Sequence, residues 1–263
     1  MKQLNLFLTL SCFALFSCGH SSKVDNNTEK TVVLPYHVDL EINLNKAKSI
    51  PLSSIGKELE YIPLETTPSS LIRKINQIFF SDSYIFISDF HKLFQFDRNG
   101  KFIRQVGANG RGPGEYINVS GFCIDKKKEK VYIIAWGIHT ILEFDFNGKF
   151  IRSFDHAFSS VQFLVNDTNR FVFRLNDLAN VTNSSDFKLY ITDIKGTPLV
   201  KIKNYSRRTS KPAFLFSITP MYYFNDNIQF MQFGVDTLYT LKKEKLEPYA
   251  IFNLGKMKMD PNP

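Results

Sequence analysis

Two histidines recur at a fixed spacing and are the first candidates for chemistry. His91 and His139 are 48 residues apart, and Asp89 is the nearest carboxylate to the first of them. Imidazoles from neighbouring repeats could together bind a metal ion such as zinc. The next equivalent positions hold Phe187 and Val235, which supply no third ligand. We therefore favour turn residues of a repeat over a metal site, and predict no metal or cofactor.

A glycine-rich loop and a tryptophan offer two further candidates. The loop Gly107–Gly114 carries Arg111 and resembles a phosphate cradle in composition. Such cradles usually open a helix, whereas this loop lies between two predicted strands, which favours a structural connection with Arg111 as its one testable side chain. Trp136 is the sole tryptophan and could stack on a sugar ring, although packing between sheets is the commoner use of so large a side chain.

Motifs for established catalytic chemistry are missing from the sequence. It contains no nucleophile elbow, zinc-protease helix motif, paired-cysteine motif or phosphate-loop lysine motif. Asp97-Arg98-Asn99-Gly100 resembles part of a calcium loop, but its glycine and terminal acid do not fit that pattern. The segment is better explained as a turn.

The elements that would position these side chains follow from an internal repeat. Phe96-Asp97-Arg98-Asn99-Gly100-Lys101-Phe102-Ile103-Arg104 recurs 48 residues later, beginning at Phe144 and with its glycine at Gly148. The same step reaches Gly196 and then a polar cluster at Leu241–Glu244. Asp-x-Asn-Gly between two apolar runs predicts a tight hairpin, because asparagine and glycine tolerate positive φ.

Each turn belongs to a unit of four short predicted strands. Repeated antiparallel units of 40–50 residues are typical of a β-propeller. The high content of phenylalanine, 26 residues of 263, also favours strands. We predict an all-β propeller domain over residues 37–263, with four blades of four antiparallel strands, at residues 67–107, 117–155, 157–204 and 211–255, the last beginning with a strand at Phe214–Thr219. In this arrangement Asp89, His91, Arg111, Trp136 and His139 share one end of the blades, which we call the loop end.

The N-terminus predicts export with a lipid anchor. Residues 1–17 combine a lysine, an apolar run and a small residue before Cys18, as in a signal peptide. Leu15-Phe16-Ser17-Cys18 resembles the bacterial lipobox, which implies cleavage before Cys18 and acylation of that cysteine. A plain secretory signal is the alternative. Residues 18–36 are mostly polar and predict a flexible lipidated tether.

The mature chain would hold one further cysteine and a basic excess. Cys123 lies in an apolar segment and is expected to be a buried small hydrophobe, with no partner for an internal disulfide. The net charge of +8 points to anionic lipid or an acidic glycan, because nucleic acid is an unexpected partner for an exported protein.

The sequence resembles a family, the six-bladed β-propeller lipoproteins of Bacteroidota, which are related to NHL-repeat proteins. The lipobox, Tyr61–Thr66, the paired Asp-x-Asn-Gly turns and Gly110–Tyr116 carry the resemblance. It implies six blades, whereas the sequence predicts about four. We therefore expect an open or strained ring, or a closed ring with a composite fifth blade. Strands near Val38–Leu44 and Tyr61–Leu64 would normally complete the last blade.

For function, we expect an outer-membrane lipoprotein, facing the periplasm or the surface, whose propeller binds a glycan, peptide or protein partner without catalysis. Repeat residues account for most recognisable features, which leaves no acid–base pair or nucleophile unexplained. The resemblance also permits a metal-dependent lyase or a lactonase-like hydrolase that uses Asp89, His91 and His139. A truncated, non-functional remnant is the third possibility.

Overall fold

The computed structural model describes residues 33–135, 139–156, 160–175, 186–204, 221–232 and 234–258. Its regular structure is almost entirely strand. In chain order the strands are β1 Tyr36–Asp39, β2 Gln77–Phe80, β3 Tyr84–Ser88, β4 Leu93–Asp97, β5 Phe102–Gln105, β6 Ala108–Asn109, β7 Glu115–Tyr116, β8 Val119–Asp125, β9 Lys130–Ala135, β10 Thr140–Asp145, β11 Phe150–Asp155, β12 Ser160–Val165, β13 Phe171–Leu175, β14 Phe187–Thr192, β15 Pro198–Lys203, β16 Met221–Phe224, β17 Asn227–Met231, β18 Thr237–Lys242 and β19 Lys245–Asn253. The short helix α1 spans Leu40–Asn43, and single 3-10 turns lie at Leu44–Lys46, Leu52–Ser54 and Gly255–Met257.

The predicted architecture of four antiparallel, four-stranded blades is confirmed. Blade 1 contains β2–β5, blade 2 β8–β11, blade 3 β12–β15 and blade 4 β16–β19, each in sequential order. One first-strand prediction was wrong. The first strand of blade 4 is Met221–Phe224, and the predicted Phe214–Thr219 lies outside the described residues. A two-residue turn with positive φ at Asn225 and Asp226 fixes the position of that strand.

The repeated glycines occupy one equivalent corner of blades 1, 2 and 3. Gly100, Gly148 and Gly196 have φ of 84°, 76° and 83°. Each donates its N–H to the carbonyl oxygen of the aspartate three residues earlier, at 3.0–3.1 Å. In blade 4 the corner is formed without glycine by Lys243 and Glu244, both with positive φ. The 48-residue step is therefore a repeat of structure as well as of sequence.

Arginines of the repeat tie neighbouring blades together near their outer strands. Arg104 on β5 donates to the carbonyl oxygen of Asn147 in the hairpin of blade 2. Arg152 on β11, 48 residues later, donates to the carbonyl oxygen of Ile194 in the hairpin of blade 3 at 2.9 Å. Its Nε also pairs with the buried carboxylate of Glu143 at 2.7 Å. The Phe-Ile-Arg part of the repeat thus makes an interblade contact.

The core consists of apolar layers between successive blades. One layer joins blades 1 and 2 and includes Phe86, Phe122 and Phe144. A larger one joins blades 2, 3 and 4 and includes Tyr132, Phe173 and Phe230. Aromatic pairs of this size bury much area, which accounts for the phenylalanine-rich composition.

The N-terminal segments pack against the two terminal blades. Strand β1 pairs in parallel with β19 and so adds a fifth strand to blade 4. The segment at Tyr61–Leu64 does not join that blade as expected: Ile62 and Leu64 pack on the outer face of blade 1. Glu65 fixes the segment there, because its N–H donates to Gly100 O and its carboxylate accepts from Phe102 N, both at 2.8 Å.

No helix in the described ranges has the length and apolar character that crossing a membrane requires. Cys123 is fully buried on β8, and burial raises the pKa of its thiol well above the ordinary value, with the charge of Asp125 adding to the effect. A thiol held protonated in the core is a weak nucleophile. The interpretation of Cys123 as a buried small hydrophobe agrees with this environment.

Candidate functional site

Antiparallel order divides each blade into two ends. Tight turns between first and second strands and between third and fourth strands form what we call the turn end. The loops between second and third strands, and those between blades, form the loop end. Four of the five side chains singled out in the sequence lie in described loop-end segments, and the fifth, Trp136, lies outside the described residues.

Asp89 caps the loop between β3 and β4. Its Oδ1 accepts the backbone N–H groups of His91 and Lys92 at 3.0 and 2.8 Å, and the side chain is buried. A carboxylate engaged in this way holds a turn through one of its two oxygens. Its placement therefore favours a structural role.

Each of the two repeated histidines has a different neighbour. His91 is exposed, and its Nδ1 lies 2.8 Å from Oδ1 of Asn118 in the connection between blades 1 and 2. His139 is exposed and packs edge-on against His156, with ring centroids 5.4 Å apart. Among the described residues, no group of three or more His, Cys, Asp or Glu side chains could hold a metal ion.

The glycine-rich connection is folded around its own carboxylate. The Oε2 atom of Glu115 accepts the N–H of Gly112 at 2.8 Å. A Cβ at Gly110 would overlap that carboxylate, so the glycine makes room for it. An anion from within the chain thus fills the space that a phosphate would use in a cradle. The expectation of a structural connection fits this geometry.

Tyr116 fixes the far end of the same connection. Its hydroxyl donates to Val106 O at 2.6 Å and accepts from Leu93 N at 3.2 Å. The side chain is 1% exposed, and burial raises its pKa to about 12. Glu115 therefore closes the loop, and Tyr116 joins the loop to blade 1.

A groove of about 820 Å³ opens between this connection and blade 2. Its volume is within the range of small-ligand sites. We call its apolar lining residues, Ile117, Ala135, Leu142 and Phe150, the floor; Thr140 and Ser153 add hydroxyl groups. The lining outside the loop itself consists of Ile117, Ala135, Thr140, Leu142, Phe150 and Ser153, and the loop contributes residues 110–115.

Arg111 is the charged side chain that this groove can offer to a ligand. It is exposed, and within the described part of the chain its guanidinium makes no hydrogen bond or ion pair. Of the two hydroxyl side chains in the lining, Thr140 donates to Asp155 at 2.7 Å. A cation above an apolar floor suits a ligand that combines an acidic group with an apolar or sugar face.

The structure brings the predicted side chains together only in part. Arg111 lines the groove, whereas Asp89, His91 and His139 are not among its lining residues. Trp136 lies outside the described residues, directly after the lining residue Ala135. Sequence reasoning missed the floor, because Leu142 and Phe150 have the alternation of ordinary core residues and nothing in their pattern distinguishes a groove from a layer between blades.

Comparison with solved structures shows the same fold. A protein of Bacteroides fragilis described as exported matches with a TM-score of 0.63 and 22% identity, over 74% of this chain and 55% of the other. A member of the DUF4221 family from Bacteroides vulgatus matches with a TM-score of 0.52 and 15% identity, over 72% of this chain and 60% of the other. The chain thus matches a little over half the length of each structure.

The comparison with curated proteins gives no match. A family model, in contrast, covers most of the sequence. Residues 35–263 match the family described as a domain of unknown function, DUF4934, and the chain belongs to that family.

Proposed function

We propose that this protein is an exported lipoprotein, anchored to the outer membrane through Cys18, whose propeller binds a glycan, peptide or protein partner without catalysis. The N-terminal sequence supports the anchor: an apolar run ends at Leu15-Phe16-Ser17-Cys18, and a polar tether follows. The description of the Bacteroides fragilis structure as exported supports the location.

The groove at the loop end is the observation that carries the binding role. It combines ligand-sized volume, an apolar floor and the guanidinium of Arg111, which has no partner among the described residues. Glu115 is the carboxylate among the groove's lining residues, and it accepts a backbone N–H within its own loop. The lining therefore presents no free acid–base pair, which supports recognition over bond cleavage. The basic net charge of +8 favours acidic glycans as the first ligands to test.

Lipid anchoring is tested by labelling cells with an alkyne analogue of palmitate. The wild-type chain should incorporate the label, and Cys18→Ala should lose both the label and its membrane association. Cys12→Ala is the matched control, because Cys12 lies inside the apolar run and would be removed with the signal. Label retained by Cys18→Ala, or lost from both variants, would exclude this anchor.

Binding is tested by calorimetry with oligogalacturonate as an acidic glycan and malto-oligosaccharide as its neutral counterpart. We expect the acidic glycan to bind more tightly, and Arg111→Ala to weaken it about tenfold, as for the loss of one charge-assisted hydrogen bond. Lys101→Ala removes an exposed cation at the turn end and should leave the affinity unchanged. Equal weakening by both variants would show non-specific attraction, and no preference for the acidic glycan would reject that ligand class.

A further inference from the structure

A second cavity lies at the turn end, where the first strands of all four blades converge. Each blade contributes one side chain from its first strand to the lining: Phe79, Ile124, Val165 and Tyr223. Its volume is about 170 Å³. An apolar cavity of about 150 Å³ accommodates benzene, so this one can take an apolar group of similar size.

The position of Tyr223 keeps this lining ordered. Its hydroxyl donates to Val165 O at 2.6 Å and accepts from Val165 N at 3.0 Å, which joins blades 3 and 4. Since these bonds use the hydroxyl, the ring presents an apolar surface to the cavity. The cavity therefore selects an apolar group at its base.

The mouth of the cavity has charges of opposite sign on its two sides. Lys126, Lys127 and Lys128 come from the first turn of blade 2, whereas Asp167 and Asp226 come from the first turns of blades 3 and 4. Asp125 also lines the cavity on the side of the lysines, where its Oδ1 accepts the backbone N–H groups of Lys127 and Lys128 at 3.0 and 3.1 Å. Both aspartates are exposed, and neither forms an ion pair with another described residue. A ligand that carries both charges would match this arrangement better than a simple anion or cation.

An unsatisfied acceptor lies in the first turn of blade 3, which also carries Asp167. The side-chain oxygen Oδ1 of Asn169 is buried and accepts no hydrogen bond from the described residues. Asn169 also lines the cavity, next to the exposed carboxylate of Asp167. A buried acceptor of this kind calls for a donor. Together with the two carboxylates it indicates an ammonium group.

We propose that this cavity binds the zwitterion of an α-amino acid with an apolar side chain. The ammonium group is bound by Asp167, Asp226 and Asn169, and the carboxylate by the lysines of blade 2. The apolar side chain lies against Phe79, Ile124, Val165 and Tyr223. This site is at the opposite end of the blades from the groove that contains Arg111, and its test does not depend on the glycan hypothesis.

Calorimetric titration of the full chain with three small probes tests the charge pattern. L-leucine should bind, leucinamide, which lacks the carboxylate, should bind about tenfold more weakly, and 4-methylpentanoate, which lacks the amine, should bind weakest. The dipeptide leucyl-glycine distinguishes a free amino acid from the amino end of a peptide: weaker binding than that of L-leucine is the expected result. Equal or tighter binding of the dipeptide would overturn the assignment to a free amino acid, and no binding of L-leucine would overturn the site.

One substitution and its matched control test whether the ligand binds in this cavity. Asp226→Asn should weaken L-leucine about tenfold while keeping the fold, because Asp226 is exposed with φ of 58° and asparagine tolerates that conformation. Asp82→Asn is the matched control, since Asp82 is in the first turn of blade 1 but does not line the cavity. Unchanged affinity in Asp226→Asn, or the same loss in Asp82→Asn, would contradict this placement.

Discussion

Alanine substitution at the repeated hairpin glycines tests whether the 61–65 segment is essential to blade 1. Gly100 and Gly148 have nearly the same positive φ, so alanine at either position costs about 1–2 kcal/mol of backbone strain. At Gly148 the added Cβ would lie 2.8 Å from Cδ of Arg104, a side chain that can rotate away at the loss of its hydrogen bond to Asn147 O, about 1 kcal/mol. We therefore expect Gly148→Ala to lower the free energy of unfolding by about 1–3 kcal/mol.

Gly100→Ala should cost considerably more. Its Cβ would overlap the carbonyl oxygen of Pro63, which is backbone and cannot move alone. Relief of the overlap requires the segment to leave blade 1, which exposes the half-buried Ile62 and Leu64 at a cost of about 1 kcal/mol each. With the strain, the loss is about 3–4 kcal/mol.

Gly196→Ala gives an intermediate case. Its Cβ would lie 2.7 Å from the carbonyl oxygen of Asp155, again backbone but less overlapped than at Gly100. Urea unfolding followed by far-UV circular dichroism gives the three free-energy changes. Equal losses in Gly100→Ala and Gly148→Ala would show that the segment contributes little to stability and refute this account.

Two pH-dependent effects complete the predictions. The pKa of Tyr116 is raised from 10.0 to about 12, so its contribution to stability is complete below pH 10 and is lost as the pH rises towards 12. Tyr116→Phe should therefore reduce the loss of stability at alkaline pH. The same substitution leaves two buried backbone groups unpaired and should lower the free energy of unfolding at pH 7, measured in urea, by about 1–3 kcal/mol. Partial burial alone would raise the pKa of Asp193, but hydrogen bonds from the backbone N–H groups of Thr197 and Lys195 lower it below its ordinary value. The contribution of Asp193 to stability is therefore present above pH 4 and is lost as the pH falls. Asp193→Asn should reduce the loss of stability at acid pH, and an unchanged acid dependence would contradict this account.

The parts of the fold that depend on local chemistry were predictable from the sequence. Asp-x-Asn-Gly specifies a hairpin through positive φ at one residue, and a constant 48-residue step requires equal units. The strand Met221–Phe224 was not predicted, because Phe214–Thr219 is an equally good apolar run and the turn at Asn225-Asp226-Asn227 lacks glycine. Short apolar runs of similar quality cannot be ranked without their tertiary partners.

The candidate site was less predictable. Arg111 could be singled out as the one charged residue within Gly107–Gly114, but the groove depends on how far that loop lies from blade 2. The placement of Ile62 and Leu64 on blade 1 likewise depends on packing between distant segments. Asp89 and His91 have suitable chemistry, yet one polar atom of each is already bonded: backbone N–H groups donate to Oδ1 of Asp89, and Nδ1 of His91 pairs with Asn118. The residue type identifies side chains that could bind a ligand. Only their neighbours in the structure show which of their polar atoms already have a hydrogen-bond partner.

The carboxylate of Glu115, which occupies the glycine loop beside Arg111, has a consequence for how this surface can evolve. Substitution of that one side chain by alanine would uncover the N–H of Gly112 in a loop that is already shaped around an oxyanion. The guanidinium of Arg111 and the backbone N–H of Gly112 would then both be available as hydrogen-bond donors in this loop. Removal of this internal carboxylate would therefore leave a loop that offers hydrogen-bond donors to a sulfate or phosphate group.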